Sequence, residues 1–132
     1  MTKVKYATMD YFKLLQEAIN KDPIFTNSDY TSTWAYIFTD KTTETGLPLT
    51  YILTWENGRL KDVRLGTPDE MTEYKFKADY KTWTELVQGK LDASRAMFTG
   101  KYKMEGPMSK LMKYSKVLGH LTDVTKTLDV EY

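Results

Sequence analysis

Apolar residues recur every three or four positions between about Thr8 and Lys21, and this spacing predicts an amphipathic helix. Its apolar positions are Tyr11, Phe12, Leu15, Ala18 and Ile19. Thr8 is placed to cap the amino end, and Pro23 follows the carboxyl end. The next segment, PIFTNSDYTS, predicts a loop or a short turn.

Strict alternation of apolar and polar residues then predicts three strands. In TWAYIFTD, aromatic residues occupy every second position from Trp34 to Phe38. In LTYILTWENG, one face carries Leu49, Tyr51, Leu53 and Trp55. Asn57-Gly58 predicts a type I′ hairpin turn, because both residues tolerate positive φ, and RLKDVRLG is the returning strand.

The returning strand does not keep this alternation. A two-residue turn places Trp55 opposite Leu60, which puts the charged Asp62 and Arg64 on the apolar face. Either a β-bulge turns the later part of the strand over, or the strand lies at the edge of the sheet. We favour the bulge or the edge over a functional Asp62–Arg64 pair.

The second half of the chain predicts two more strands and three helices. EYKFKAD and KYKME alternate and predict the fourth and fifth strands. Asp79 and Asp92 are placed to cap two short helices that end at Gly89 and Gly100. Pro107 is placed as the first residue of a last long helix.

This order of elements predicts an α+β fold with a five-stranded sheet covered on one face by helices. The other face of the sheet is expected to be largely solvated. The 132 residues contain no internal repeat and no Pro/Ser-rich linker, so residues 1–132 are expected to form a single domain.

The last helix separates an apolar face from a basic one on a helical wheel. The apolar arc contains Met108, Leu111, Met112, Tyr114 and Leu118. Its middle carries the small residues Ser115 and Gly119, which either let the backbone approach the sheet or leave space for a ligand. Lys110, Lys113 and Lys116 lie opposite and form either a solvated surface or a contact for an anionic membrane.

Composition narrows the functional classes. Hydrophobic residues make up 41% of the chain and the net charge is +1, so no long-range field attracts nucleic acid, and we expect no nucleic-acid partner. The absence of cysteine excludes disulfides, thiol catalysis and thiolate metal sites, and suits the cytoplasm. No apolar run reaches the ~18 residues of a membrane span, and the N-terminus lacks a secretory signal. We expect a cytoplasmic protein.

The sequence carries no familiar catalytic pattern. It contains no Gly-x-Ser-x-Gly elbow, no phosphate-binding loop and no paired-histidine metal spacing. The single histidine, His120, lies near the predicted end of the last helix, where an imidazole commonly contacts terminal carbonyls. We therefore expect no enzyme, no metal site and no cofactor.

The segment DYKTWTELVQGKLDASRAMFTGKYKMEGPMSKLMKYS resembles the C-terminal half of the sterol carrier protein type-2 family of lipid-transfer domains. The resemblance rests on the residues Gly89-Lys90-Leu91-Asp92, Ala96-Met97-Phe98, Gly100-Lys101-Tyr102-Lys103, Gly106, Met108 and Met112-Lys113. The N-terminal half is similar more loosely, through its leading helix, its aromatic strands and WENGRLKDVRLG. The resemblance implies a free-standing domain with an apolar tunnel between sheet and helices, which accepts fatty acids, fatty acyl-CoA, sterols, phospholipids or detergents.

Pro107, Lys110 and Tyr114 depart from the family pattern, and a shorter side chain, Ser115, stands at the family's polar contact. The head-group preference therefore stays open. The leading hypothesis is a non-enzymatic lipid carrier, as a monomer or weak dimer, in which Met104, Met108 and Met112 form an adaptable wall. The lipid-binding residues are expected to be Trp34, Tyr51, Leu53, Trp55, Phe76, Trp83, Met97, Phe98, Met104, Met108, Leu111, Met112 and Ser115. The alternative is an accessory or interaction module whose apolar groove receives a partner helix or a second copy.

Overall fold

The structure is a computed structural model that describes residues 3–132. Its strands are β1 (Val4–Lys5), β2 (Ser32–Thr42), β3 (Pro48–Glu56), β4 (Arg59–Gly66), β5 (Tyr74–Ala78), β6 (Tyr102–Glu105) and β7 (Val130–Glu131). Its helices are α1 (Met9–Asn20), α2 (Pro23–Thr26), α3 (Tyr80–Val87), α4 (Ala93–Phe98), α5 (Met108–Lys113) and α6 (Ser115–Thr125). Within residues 3–132, none of these helices is long and apolar enough to cross a membrane.

Five of the strands form one mixed sheet in the order β4-β3-β2-β5-β6. β2 and β5 pair in parallel, and the other neighbours are antiparallel. The short strands β1 and β7 form a separate parallel pair that brings both ends of the described chain together. The predicted α+β fold with a five-stranded sheet is confirmed.

The β3–β4 hairpin contains both a β-bulge and an edge strand, the two explanations predicted from the sequence for the charged residues Asp62 and Arg64. Asn57 and Gly58 adopt φ values of 50° and 79°, as a type I′ turn requires. Trp55 pairs with Leu60 but Thr54 pairs with Asp62, so Lys61 is the extra residue of a β-bulge. β4 is also an edge strand.

The bulge turns the later part of β4 over. Leu53 consequently faces the buried Val63, and the charged side chains move to the other face of the sheet. Arg64 pairs with Glu70 in the following loop, at 2.5 Å between Nη2 and Oε1. The charged positions of β4 thus have a structural role, as favoured from the sequence.

Three predicted helix caps are present. The side chain of Thr8 accepts a hydrogen bond from the Tyr11 N–H, and Asp79 and Asp92 cap α3 and α4 in the same way. The segment predicted as a loop or short turn contains the single-turn helix α2. These local signals place the helices so that their apolar sides meet one face of the sheet.

Aromatic side chains fill most of the space between the sheet and the helices. Tyr36 of β2 and Trp83 of α3 stack with their ring centroids 3.8 Å apart. The Trp83 indole also donates to the carbonyl of Ile37, at 2.8 Å between Nε1 and O. The opposite face of the sheet carries a small buried cluster of Ala35, Ile37 and Ile52, so that face is not entirely solvated.

The predicted last helix is divided into α5 and α6 by a break at Tyr114, where φ is −102° and ψ is 21°. The Tyr114 hydroxyl donates to Asp29 Oδ1 at 2.9 Å, and its ring meets that of Tyr30 edge-on. A wheel drawn through all of residues 108–125 therefore does not describe either helix. Ser115 and Gly119 are exposed rather than set against the sheet.

His120 lies inside α6 rather than at its end, so its predicted contact with terminal carbonyls is wrong. Its Nε2 lies 2.7 Å from Asp22 Oδ2, and its Nδ1 lies 3.3 Å from Asp123 Oδ2. The ring of Phe25 packs beside the imidazole at 5.5 Å between centroids. The histidine thus connects α6 to the cap of α2.

Candidate binding cavity

An apolar cavity of about 390 Å³ lies between the sheet and the helices. Strands β2, β3, β5 and β6 contribute residues to its wall, as do helices α1, α3, α4, α5 and α6. Leucine, valine, methionine and aromatic side chains make up most of this wall. None of the lining residues carries a formal charge. The cavity can therefore accept a hydrocarbon body, but it offers no counter-charge to an ion.

Alternation along the strands explains which of their side chains reach the cavity. Trp34 and Tyr36 are two residues apart on β2, and Leu53 and Trp55 are two residues apart on β3, so each pair lies on the same face. Because that face meets the helices, the strand residues in the cavity wall follow directly from the alternation of side chains between the two faces of the sheet.

Eight of the thirteen residues predicted to bind lipid line this cavity. They are Trp34, Leu53, Trp55, Phe76, Trp83, Met97, Met104 and Leu111. Six of them come from strands or from α3, whose orientation the sequence pattern indicates well. Contact between these side chains and a lipid stays a prediction.

The other five predicted residues lie outside the cavity wall. Tyr51 is buried against the ring of Phe12, 4.3 Å away between centroids, and its hydroxyl donates to the carbonyl of Ala7. Phe98 is 93% exposed at the end of α4.

Met108, Met112 and Ser115 lie outside the cavity wall, on the two sides of the break at Tyr114. Met108 is 50% exposed and Met112 is 70% exposed, and Ser115 also faces outward. Of the three methionines expected to form an adaptable wall, Met104 lines the cavity, together with Met97. The polar contact expected at Ser115 is absent from the cavity lining.

Several lining residues were not predicted. They are Tyr11, Leu15, Tyr36, Leu86, Val87, Leu91, Ala93, Ser94, Tyr102, Leu118, Leu121, Thr122 and Thr125. Tyr11 and Leu15 belong to the apolar stripe of the first predicted helix, and Tyr36 and Tyr102 to apolar strand faces, so a signal existed for them. Leu121, Thr122 and Thr125 lie beyond the point at which the sequence suggested that the last helix ends.

The basic residues of α5 and α6 differ in their surroundings. Lys110 is half-buried, and its ammonium donates to Glu73 Oε1 at 2.7 Å and to the carbonyl of Thr31 at 2.5 Å. Burial favours the neutral form of Glu73, but hydrogen bonds from Lys110 and Ser32 lower the pKa of this carboxyl. Lys113 and Lys116 are exposed. Lys110 thus connects α5 to Thr31 and Glu73, next to strands β2 and β5, whereas Lys113 and Lys116 face solvent.

Within residues 3–132, no group of three or more His, Asp or Glu side chains is arranged to hold a metal ion. The candidate site is consequently the cavity itself, whose chemistry is that of apolar surface with a few hydroxyl and indole groups.

The five-stranded sheet, the helices over one face and the apolar cavity between them define a domain of the sterol-carrier type. The model of the SCP-2 sterol transfer family matches residues 12–119. This chain belongs to that family, whose description is one of sterol transfer rather than of an enzyme.

Solved structures agree with this assignment. A crystal structure of sterol carrier protein 2 superimposes with a TM-score of 0.78 at 15% identity, covering 94% of this chain and 99% of that chain. A solution structure of a conserved hypothetical protein, possibly a sterol carrier protein, from Thermus thermophilus gives a TM-score of 0.77 at 14% identity, with coverages of 99% and 94%.

The same fold also matches part of a larger protein. A double mutant of the sec-alkyl sulfatase PisA1 gives a TM-score of 0.61 at 23% identity, over 95% of this chain and 17% of that chain. At such identities the likeness establishes the fold alone. No curated protein matches this sequence.

Proposed function

We propose that this chain is a non-enzymatic carrier that binds one long-chain lipid in the cavity. The observation that carries the proposal is the apolar cavity of about 390 Å³ between the sheet and the helices, which has no charged lining residue. Known ligand pockets have volumes of about 300–1,000 Å³ and are mostly apolar. Removing the hydrocarbon from water would contribute about 25 cal/mol per Å² to binding, partly offset by the entropy lost on association.

Fatty acids, fatty acyl-CoA, sterols and phospholipids are the ligand classes considered. Because shape and apolar area dominate over directed hydrogen bonds, we expect broad selectivity for the hydrocarbon part. The eight predicted lining residues would provide the contact surface, with Met97 and Met104 adapting to different chains. We place this activity in the cytoplasm, as a single domain that uses neither a metal nor a cofactor.

Filling the cavity tests this proposal. Met104→Trp adds an indole to the wall, and Met71→Trp makes the same change at a side chain that is 99% exposed. We expect Met104→Trp to weaken the uptake of a fluorescent fatty acid at least tenfold, whereas Met71→Trp leaves it unchanged. Overfilling a core commonly destabilises it by about 1–3 kcal/mol, so circular dichroism should confirm that both variants are folded.

Displacement of the fluorophore by unlabelled lipids then ranks the ligand classes. A folded Met104→Trp variant that binds the probe as tightly as the unmodified chain would contradict binding in this cavity. Failure of every long-chain lipid to bind the unmodified chain would contradict the carrier function as a whole.

We also propose that α4 and α5 form the face that contacts a membrane during lipid exchange. Both helices border the cavity through Met97 and Leu111. Phe98 and Met112 extend from these helices into solvent, and Lys113 is exposed beside them. Apolar residues with adjacent basic groups suit an anionic bilayer, which attracts each nearby lysine by about 1 kcal/mol. Lys110 is engaged with Glu73 and contributes less.

A second candidate function is an accessory or interaction module. The same exposed side chains on α4 and α5 could receive a partner helix or a second copy, and a domain of this fold occupies part of the larger PisA1 chain. A tight dimer in solution from which no lipid can be extracted would favour this function. A monomer or weak dimer that contains lipid would favour the carrier.

A further inference from the structure

Methionine supplies all the sulfur of this protein. The chain contains seven methionines and no cysteine. The thioether of methionine is apolar and adaptable, and its oxidation produces a sulfoxide, which is polar. An oxidant that reaches this chain meets no thiol, so the methionines are its only sulfur targets. Those that solvent reaches are expected to react first.

Four methionines are exposed within residues 3–132. The exposed fraction is 99% for Met71, 70% for Met112, 50% for Met108 and 37% for Met97. Met71 lies in the loop between β4 and β5, and Met108 and Met112 lie on α5 outside the cavity wall. Of these four, Met97 alone lines the cavity. Met97 therefore combines access from solvent with a place in the candidate binding site.

The cavity reaches solvent beside α4. Ala93, Ser94 and Met97 are its exposed lining residues, and the other lining residues are buried or half-buried. All three belong to α4, where residues three and four positions apart share one side of the helix. Met97 thus lies where the cavity meets solvent, so a small oxidant can reach it without any opening of the fold.

Met104 is the other methionine of the wall, and its surroundings differ. It is half-buried on β6, at the edge of the sheet. Because oxidation of methionine follows exposure, we expect Met104 to react more slowly than Met97. Met71 is the most exposed methionine and lies away from the cavity, so it reports oxidation that does not affect the site.

On the basis of the proposed carrier function, we propose that Met97 is an oxidation site through which hydrogen peroxide weakens lipid binding. A lone pair of the Met97 sulfur attacks one peroxide oxygen, so that an S–O bond forms and the O–O bond breaks. The second oxygen takes the proton of the first and leaves as water. The sulfur is oxidised by two electrons, the peroxide is reduced by two, and the product is a sulfoxide.

The sulfoxide opposes the bound state more than the empty one. In the empty protein its oxygen lies at the opening, where water can hydrate it. A hydrocarbon seated against it would remove that water, and the cavity offers no charged group in exchange. A polar group that loses its hydration without a new hydrogen bond is unfavourable. Oxidation should therefore lower the affinity for lipid while leaving the fold intact.

The test compares the unmodified chain with Met97→Leu and Met71→Leu, each before and after the same treatment with hydrogen peroxide. Leucine keeps an apolar side chain of similar volume and has no sulfur. The readouts are the affinity for a fluorescent fatty acid and mass spectrometry of proteolytic peptides, which locates each added oxygen. Met97→Gln and Met71→Gln place an uncharged polar group at the same two positions without any oxidant.

We expect peroxide to weaken probe binding about tenfold in the unmodified chain and in Met71→Leu, and to leave Met97→Leu within about twofold of its untreated value. Met97→Gln should bind the probe about tenfold more weakly without peroxide, whereas Met71→Gln should bind it normally. The peptide that contains Met97 should gain its oxygen before the peptide that contains Met104. Methionine sulfoxide reductases for both sulfoxide epimers, with a thiol reductant, should restore binding.

An unmodified chain that carries the Met97 sulfoxide and still binds the probe fully would overturn the role of Met97 while leaving the carrier function intact. Equal losses in Met97→Leu and the unmodified chain would also overturn it, because the effect would then arise at another residue. So would a Met97 that stays reduced while Met71 is fully oxidised. If the untreated, unmodified chain bound no probe, the carrier function would fail together with this role.

Discussion

His120 shows how a single side chain can join two helices that are far apart in sequence. Its imidazole lies between the carboxylates of Asp22 and Asp123, with Nε2 2.7 Å from the former. The hydrogen bond with Asp22 is the main reason that the pKa of His120 is raised. Burial alone would raise the pKa of Asp22, but hydrogen bonds from His120 and the Ile24 N–H lower it.

The raised pKa of His120 predicts a pH-dependent contribution to stability. This contribution is fully present below the unfolded-state value of about 6.5 and is lost as the pH rises through the higher folded-state value. His120 is the single histidine of the chain, so few other groups titrate in this range. We expect His120→Gln to lower the melting temperature by about 1–3 °C at pH 6 and by less at pH 8.5.

Lys116→Gln is the control for this prediction, since it removes a positive charge from the same exposed helix. It should lower the melting temperature equally at both pH values, or not at all. An identical pH dependence in His120→Gln and the unmodified chain would contradict the stabilising contact with Asp22.

At the residue scale, the sequence indicated caps and turns well because these depend on near neighbours. Thr8, Asp79 and Asp92 cap helices through N–H groups three residues away. The partner of His120 lies 98 positions away, at Asp22. No local pattern contains such information, so this contact could not be predicted.

At the scale of elements, strands and helices differ in how well the sequence places their side chains. A strand alternates strictly, so the period of two indicates which face carries Trp55 of β3 and Met104 of β6, and both residues line the cavity. The face that a helix presents depends on where it begins and breaks. Tyr114 has no helix-breaking chemistry of its own, and its contacts with Asp29 and Tyr30 accompany the break. Met108 and Met112 lie on α5, directly before this break, and are outside the cavity wall.

The exposed ends of α4 and α5 give a prediction for membrane binding. Phe98 and Met112 are 93% and 70% exposed, and burying such side chains in a bilayer contributes about 1.5–3 kcal/mol each. We expect Phe98→Ser and Met112→Ser together to weaken binding to phosphatidylglycerol-containing vesicles at least tenfold in a sedimentation assay. Added salt should weaken the binding of the unmodified chain, since Lys113 and Lys116 contribute by charge.

Met71→Ser supplies the matched control, because Met71 is 99% exposed and lies in the loop between β4 and β5. Its vesicle binding should equal that of the unmodified chain. If the double variant also bound as tightly as the unmodified chain, α4 and α5 would not be the contact face.

At the scale of the whole molecule, the fold was predictable but its cavity was only partly so. The order of helices and strands follows from periodicity and turn residues, which are local. The cavity exists because α3, α4 and α6 leave space above Trp34, Leu53 and Phe76. This space depends on the packing of all the elements, so the sequence indicated its apolar character but only three of the helix residues that line it, Trp83, Met97 and Leu111.

Native mass spectrometry tests the central claim, binding of one lipid inside the cavity, most directly. Freshly purified chain would be measured as isolated and again after incubation with palmitate, 1-hexadecanol and cholesterol. We predict a one-to-one lipid adduct on the unmodified chain, and its loss from the folded Met104→Trp variant. A spectrum that contains only the mass of the bare chain, both before and after incubation with each lipid, would contradict the account.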